Sequence, residues 1–559
     1  KEVHGHLAQA IKDKPIETAE PCQDGYLYDF GENLAGNIAL KIKGKKGQKV
    51  TMIFGEVLND KGDLDMRGMC FQPIPWDHRI EYTLKGDKIE EYRPTFTYMG
   101  FRYCWVGGIT EEQATKELLT YEVMASALKK NGDFSCSDEV INKLQKATYN
   151  ADIANFYYFP TDCPHREKNG WTADAALSAE QMLFNLTPEN SYREWLCNIR
   201  KAQRFDGALP GIVPTGGWGF NWGNGPAWDS ALFYLPYYTW IQRGDTDIIK
   251  ENTTAMMRYL NYISTRRDEK GLIHIGLGDW LPIKYNTDMV ALEVTDTMVT
   301  MNICRMASKM FKAVNMGVQS SFADNLFNEL RASARKYLLM SDGATVIGRT
   351  QTGQAMAIEY GLLENGEKKA AFEVLLDIIH EADDHLDTGC LGARIVFHVL
   401  AKYGYADLAY KMIVRPDYPS YAHWVLSENA TTLFEEFQRP GARPNSKNHH
   451  FFGDISSWFF KYIAGVKINP FETNVREIEI SPNFIDGLEN ADGYQYHLGG
   501  KISSKWQKAS DGYEVTVAIP ENCFGKLIAP KGYIILENGD YRNQVNLTFN
   551  ETVWKIVKK

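Results

Sequence analysis

The sequence predicts a multidomain protein: an all-α toroid of six helical hairpins, (α/α)6, flanked by antiparallel β-sandwich domains. Three observations carry this expectation. Residues 20–127 alternate apolar and polar side chains between Gly, Asn and Asp, the pattern of short half-buried strands. From Ser137 to about residue 465 the period turns helical, with hardly a strand intervening. Alternation then returns near residue 470. The expected domains are therefore 1–127, 128–468 and 469–559, and a length of 559 residues is more than one core organises.

The N-terminal strands are read in "NIALKIKG", "QKVTMIFGEV", "HRIEYTLKG" and "YMGFRYCWVGG", and their spacing suggests an antiparallel sandwich in a supporting role. The first helix follows in "SDEVINKLQKATYNADIANFYY". Val140, Ile141, Leu144 and Ala147 share a face, Ser137 is the expected N-cap, and Asp138 and Glu139 suit the first turn. Ten to twelve helical segments are expected in all. Several, such as "ARIVFHVLAKYG", are apolar nearly all round, as inner helices of a closed two-layer barrel would be. The last β-segments are "VREIEISPNF", "YEVTVAIP" and "KGYIILENG". No short repeat points to a solenoid.

Composition excludes several classes. With 44% hydrophobic and 24% charged residues the chain is an ordinary globular one, and a net charge of -10 without a basic patch argues against nucleic acid. Apolar runs fall short of the roughly 20 residues that span a bilayer, so no membrane partner is expected. Nine cysteines at wide spacing, with no CxxC pair, suggest buried thiols rather than a disulfide frame or zinc site. The chain starts at Lys1 with no Met and no apolar leader, so an upstream portion is expected to have been removed. Periplasmic, secreted and cytoplasmic locations all stay open. Thirteen Trp and 30 Tyr are many for this length; rings fill cores, and they also stack on sugar faces.

Chemistry concentrates in four segments. "FPTDCPHREKNGWTADAA" (159–176) sets Asp162, Arg166, Glu167 and Asp174 around Trp171 in a loop that feeds a helix. Three carboxylates and an arginine are the material of general acid catalysis, because neighbouring charge and burial separate carboxyl pKa values. Taken alone, the segment reads equally well as a surface loop with local ion pairs. "SENATTLFEEFQRPGARPNSKNHHFFGD" (427–454) holds Glu428, Glu435, Glu436, His449 and His450. The adjacent acids 435 and 436 should point different ways, and a solvated charged face is the competing reading. "PTGGWGFNWGNGPAWDS" (214–230) interleaves Trp218, Trp222 and Trp228 with glycines and ends at Asp229, which suits stacking and hydrogen bonding to sugar better than phosphate. "GLGDWLP" adds Asp279 and Trp280 in the same manner.

Two patterns are set aside. His380 and His385 in "HEADDHLDTG" are five apart and lack HExxH spacing, so no metal is expected there. There is no GxSxG elbow, and Cys163 has no convincing His partner, so serine or cysteine nucleophile chemistry is not indicated.

These same segments resemble glycoside hydrolase family 78, the bacterial α-L-rhamnosidases, over nearly the whole chain. "DFGENLAGNIALKIKGKKGQKVTMIFGEVLNDKGDL" and "PTFTYMGFRYCWVGG" resemble the family's β-domain before the barrel, and "PTDCPHREKNGWTADA" its most specific motif. "GDWLP", "HLDTGCLGA", "NATTLFE" and "SKNHHFFGDISSWF" follow in the family's order. The resemblance implies removal of terminal α-L-rhamnose with inversion and without a cofactor or metal. It makes Glu167 the general acid and Glu435 the general base, 268 residues later in the chain (435 − 167). By the same carry-over Asp162, Arg166 and Asp174 hold sugar hydroxyls, Trp171 and Trp280 wall the pocket, and Asp229 and His449 add contacts. The implied partner is a rhamnose-containing carbohydrate. Departures from the pattern are His165 for a common Gln, Ala173 for a frequent Gly, and Phe434 for the usual Trp. Lys168 follows Glu167, leaving one acid there rather than two.

Two other readings stand beside this one: a catalytically silent carbohydrate-binding protein, and a hydrolase of a different sugar on the same toroid. An acid-rich site argues for hydrolysis over a lyase, which would need a His or Tyr base and a basic cleft for uronates. No phosphate pocket for phosphorolysis is legible.

Overall fold

The computed structural model describes residues 8–14, 18–22, 25–70, 78–86, 88–215, 219–283, 290–439 and 441–559, the first two stretches as backbone only. Trp218, one of the ring-bearing residues of the third segment, lies outside them. By contacts the chain divides into two compact units.

The first unit contains Lys1–Leu128, Lys146–Gly170 and Glu428–His450. Its sheet is built from β1 (Ala8–Lys14), β2 (Thr18–Cys22), β3 (Gly25–Lys43), β4 (Lys49–Gly55), β5 (Arg79–Thr83), β6 (Ile89–Tyr92), β7 (Met99–Gly107) and β8 (Leu119–Ser126). The order is β1-β8-β3-β7-β4-β5, with β2 and β6 also on β3, all antiparallel. Period-two alternation explains the core: Val50, Met52 and Phe54 of β4 and Leu119, Tyr121 and Val123 of β8 all point inward. Phe101 stacks on Tyr121 at 3.9 Å between centroids, and Phe30 meets both rings edge-on. Each such ring contributes about 1.5–3 kcal/mol by leaving water.

The second unit contains Lys129–Gln145, Trp171–Ser427 and Phe451–Lys559. Before its helices comes β9 (Gly132–Cys136), and a two-residue hairpin, β10 (Phe156–Tyr157) and β11 (Phe159–Pro160), belongs to the first unit. The helices are α1 (Glu139–Ala154), whose residues from Lys146 onward count with the first unit, α2 (Thr172–Asn185), α3 (Glu189–Ala202), α4 (Pro226–Asp229), α5 (Ala231–Arg243), α6 (Asp247–Ser264) and α7 (Leu292–Ala313). They continue with α8 (Gly317–Tyr337), α9 (Gln351–Glu359), α10 (Lys368–Glu381), α11 (Cys390–Lys402), α12 (Ala406–Val414), α13 (Tyr421–Leu426) and α14 (Ile455–Trp458). Two kinds alternate. Every residue of α2 is buried, as are all but Lys402 of α11, whereas α8 buries one stripe: Ser320, Ala323, Leu326, Leu330 and Ala334. The more deeply buried helices touch in succession: α2 with α5, α5 with α7, α7 with α9, α9 with α11, and α11 with α14, which returns to α2. No helix among the described residues is long and apolar enough to cross a membrane.

Local capping differs from the sequence expectation. Asp138, not Ser137, caps α1, its Oδ1 accepting from Val140 N at 2.7 Å. Ser137 Oγ instead accepts from Glu489 N at 2.8 Å, tying the helix start to a segment some 350 residues away. "GDISSWFFKYIAG" is also not one α-helix, since α14 gives way to a π-helical turn at Phe459–Ile463. Trp506 Nε1 and Ser504 Oγ donate to the Ile463 and Ala464 carbonyls, supplying the bonds that the altered turn leaves free.

The C-terminal strands are β12 (Val466–Ile468), β13 (Glu477–Ile480), β14 (Asn490–His497), β15 (Gly500–Ala509), β16 (Gly512–Ala518), β17 (Phe524–Ile528), β18 (Tyr533–Glu537), β19 (Asp540–Arg542), β20 (Gln544–Leu547) and β21 (Thr552–Lys558). They form sheets of order β12-β13-β17-β20 and β19-β18-β21-β16-β15-β14-β9. Pairing is antiparallel except for β13 with β17, which corrects the wholly antiparallel expectation. The chain leaves β13 for the larger sheet and re-enters in the same direction. The edge strand β9 comes from upstream of the helices.

His497 on β14 sets an acid limit on this unit. It is 3% exposed, and burial pushes its imidazole down to about 4, while Nε2 lies 2.8 Å from the Val475 carbonyl oxygen. An unfolded histidine titrates near 6.5, so between those values the unfolded chain binds the proton and the folded one refuses it. Stability is complete above 6.5 and falls by up to about 3 kcal/mol as the pH drops toward 4. Urea midpoints at pH 7 and 4.5 should show this drop, and His497→Gln should shrink it.

Candidate active site

The hairpin β10–β11 turns at Tyr158, whose φ is 72°, and delivers the chain into the loop 161–170. Asp162 closes this loop on itself: its Oδ1 accepts from Asn169 N at 2.7 Å, and its backbone N donates to Asn169 O at 2.9 Å. Lys168 braces it from outside, donating to the Tyr98 carbonyl at 2.6 Å with its ammonium 4.4 Å from the Tyr98 ring centre. The loop thereby presents Arg166 and Glu167, whose side chains are 5% and 11% exposed.

The second polar segment meets the first within the same unit. Arg166 Nη2 donates to Glu435 Oε2 at 2.6 Å, and Arg166 Nε lies 4.0 Å from Glu167 Oε1. One guanidinium is therefore bonded to the Glu435 carboxylate and lies near that of Glu167. Ser446 N also donates to Glu435 Oε2, at 2.9 Å. Glu436 turns to another partner, Asn445 Nδ2 at 2.9 Å, as adjacent residues should. His450 Nε2 lies 2.8 Å from the Thr161 carbonyl, and Asn155 Nδ2 donates to Asn448 Oδ1 at 3.0 Å, so the second segment is tied to the first at Thr161 and to Asn155 just before it. His449 is 5% exposed, and its backbone N donates to the Leu433 carbonyl at 2.8 Å.

Asp162, Cys163 and Glu167 bring ligand atoms within 4.8 Å of one another. The Cys163 thiol donates to Asp162 Oδ2 at 2.8 Å, and burial pushes its pKa well up, so it stands here as a neutral hydrogen-bond donor.

The other predicted residues lie in the second unit. Trp222 packs edge-on between Trp171 and Trp280, at 5.7 Å from each. Trp222 is 40% exposed and Trp171 7%, so the cluster offers one open ring on a buried support. Asp174, in the first turn of α2, is 5% exposed. Asp229 is 1% exposed in α4; burial pushes its carboxyl well up, opposed by the Tyr259 hydroxyl and the Gly225 N–H.

Asp279 has a different role from the sugar contact its segment suggested. It is buried, and it accepts from Gly389 N at 2.8 Å, Leu391 N at 2.8 Å and Gly392 N at 3.1 Å, with Thr352 Oγ1 at 2.5 Å. These are the orphan amides at the start of α11, so Asp279 is a helix cap delivered from a distant loop. Asp279→Ala should cost about 3 kcal/mol in urea unfolding, and Asp279→Asn, which keeps an acceptor oxygen, clearly less.

A cavity of about 130 Å³ in the second unit contains none of the predicted residues. Its carboxylates are matched: Glu180 with Lys461, Glu359 with Lys402, Glu472 with Lys309, and Asp454 with His398. It reads as a partly exposed ion network. The decoy histidines likewise pair with carboxylates, His380 with Asp384 and His385 with Asp417.

Comparison with known proteins decides the family. Residues 129–463 match the bacterial α-L-rhamnosidase six-hairpin glycosidase domain, 20–125 that family's concanavalin-like domain, and 465–536 its C-terminal domain. The chain belongs to the bacterial α-L-rhamnosidases. Within this family it is 29% identical over 530 residues to an α-L-rhamnosidase of Streptomyces avermitilis, covering 92% of this chain and 49% of that protein. It is 29% identical to another from an Alteromonas species, covering 96% and 60%. Its fold matches the α-L-rhamnosidase structure from Dictyoglumus thermophilum with a TM-score of 0.91 at 26% identity, over 99% of this chain and 64% of that one. It also matches the Streptomyces avermitilis structure complexed with L-rhamnose, with a TM-score of 0.88 at 26% identity, over 99% and 53%. The chain thus spans about half to under two thirds of the length of these relatives.

Proposed function

We propose that this chain is an inverting α-L-rhamnosidase that removes terminal non-reducing α-L-rhamnose from oligosaccharides, polysaccharides or glycosides. The observation that carries the reading is that Glu167 and Glu435, distant in sequence, both come to Arg166. Glu167 protonates the departing glycosidic oxygen. Glu435, oriented by Arg166 and Ser446 N, takes a proton from the water that attacks the anomeric carbon from the opposite face. Inversion requires carboxyls about 6.5–9.5 Å apart, wide enough for that water, against the closer pair of a retaining enzyme.

Asp162, Arg166, Asp174, Asp229 and His449 are proposed hydrogen-bonding groups for sugar, and Trp171 and Trp280 proposed stacking walls. Family membership and the rhamnose bound to the Streptomyces avermitilis relative support the substrate class. We further read the succession of buried helices α2, α5, α7, α9, α11 and α14 as the inner layer of an (α/α)6 toroid, bounded near residues 127 and 468 by β-sandwich domains. The family match to a six-hairpin domain supports that reading.

The test is hydrolysis of 4-nitrophenyl α-L-rhamnoside with NMR of the freshly released sugar. β-L-Rhamnose as first product is expected. The α-anomer would remove Glu435 from its role as water-activating base, and binding of rhamnose without release would favour a silent carbohydrate-binding protein.

A further inference from the structure

The N-terminal β-region is expected from sequence to be only a support, yet one of its carboxylates is buried against the segment that carries the base. Glu56 follows β4 immediately and is 5% exposed. Its Oε2 accepts from Lys447 N at 3.0 Å, and its Oε1 accepts from Asn33 Nδ2 at 2.9 Å. Asn33 Nδ2 also reaches the Lys447 carbonyl at 3.2 Å, so Lys447 is gripped at both ends of its backbone by residues of the β-region. The residue before it, Ser446, donates its N–H to Glu435 Oε2 and accepts from Glu435 N at 3.0 Å.

We propose that Glu56 is a positioning residue for the reaction: it fixes the 446–447 backbone that aims Glu435 at the attacking water. This rests on the assignment of Glu435 as base. Several features require a carboxylate here rather than any polar group. Both oxygens face N–H donors, so an amide at this position would set its own NH₂ against one of them. Burying the charge is costly and pushes the Glu56 carboxyl up, while Asn33, the Lys447 N–H and the Arg166 charge oppose that shift. His165 Nδ1 lies 3.6 Å from Glu56 Oε1, and burial pushes the imidazole well down, so the ring is neutral and the charges acting in favour of the carboxylate are those of Arg166 and Lys447. A group kept in so unfavourable a place, one residue from the base's own hydrogen-bond partner, has a geometric task. The N-terminal β-region is then part of the catalytic apparatus, not an appendage to the helical domain.

A positioning defect on the base side has a signature that loss of folding lacks. Misplacing a reacting group by about 1 Å can cost about 10²-fold in rate while ground-state binding persists. Such a loss must not depend on the leaving group, because protonation of the departing oxygen is untouched. The experiment uses the full chain, at a temperature where circular dichroism finds the variants folded, with 4-nitrophenyl and 2,4-dinitrophenyl α-L-rhamnosides. Glu56→Ala is expected to lower kcat about 10²-fold and Glu56→Gln about tenfold, with KM within about threefold and equal losses on both substrates. Wild-type kcat in a folded Glu56→Ala variant would overturn the proposal. So would a loss that vanishes with dinitrophenolate, which would point to the acid instead. If Glu56→Ala does not fold, Asn33→Ala removes one arm of the clamp and should lose about tenfold in the same leaving-group-independent manner, and unchanged kcat there overturns the proposal equally. If Glu435→Gln itself keeps full activity, the assignment of the base has failed and Glu56 falls with it. If Glu435→Gln is dead and the Glu56 and Asn33 variants are normal, only the positioning role fails.

Discussion

Glu167→Gln should lower kcat on 4-nitrophenyl α-L-rhamnoside by about 10²–10⁴-fold, the span that a positioned general acid contributes. The amide is nearly isosteric, and Glu167 stands 4.0 Å from Arg166 rather than in a tight ion pair, so the loop closed by Asp162 should keep its shape. KM should therefore change little, because the lost interaction belongs to the transition state. With 2,4-dinitrophenolate as leaving group the deficit should shrink to a small factor, since that oxygen departs without a proton. The alkaline limb of the kcat profile, which reports deprotonation of the acid, should disappear in the variant. Equal losses on both substrates would take the acid role away from Glu167.

Much of this arrangement was legible before any coordinates. The change of period at Ser137 and its return near residue 470 marked the elements, because two periodicities, 3.6 and 2.0, are written directly into which side chains must be apolar. The buried helices were legible for the same reason: a helix such as α11 has almost no polar face to offer water. The segments bearing Glu167 and Glu435 stood out as polar clusters in Gly- and Pro-punctuated loops, and the structure joins them through Arg166. Their chemical roles came from the family resemblance, since a carboxylate in a loop looks the same whether it transfers protons or meets solvent.

What stayed hidden was long-range. Asp279 reads as a sugar-binding acid beside a tryptophan, and only the fold reveals three amides of α11 converging on it. Ser137 satisfies every local rule for an N-cap but is claimed by Glu489, leaving Asp138 to do the capping. The strand β9 is too short to announce a partner, and the one it takes, β14, lies beyond the entire helical region. Glu56 carries no sequence signal: a lone acid after a strand is ordinary on a surface, and its meaning comes from Lys447, 391 residues away. Local patterns encode what each element needs, while the identity of a distant hydrogen-bond partner is set only by tertiary packing.

Glu435→Gln should be as damaging as the change at 167 but in a different way. An amide keeps one oxygen able to accept from Arg166 Nη2 and Ser446 N, both of which meet Oε2, so the side chain should hold its place. It cannot take a proton from water, and kcat should fall by about 10²–10⁴-fold. This loss should be the same for nitrophenyl and dinitrophenyl substrates, because an easier departure does not activate the nucleophile. Stability should separate the two variants as well. Arg166 is 5% exposed and its 2.6 Å contact to Glu435 is an ion pair between groups largely removed from water. Neutralising one partner of such a pair should cost about 1–3 kcal/mol in urea unfolding, whereas Glu167→Gln, with its longer contact, should cost little. A leaving-group-sensitive variant that is stable and a leaving-group-insensitive variant that is weakened would together assign acid and base. The reverse pairing of these traits would exchange the two roles, since the carboxylate whose loss ignores the leaving group is the one that must activate water.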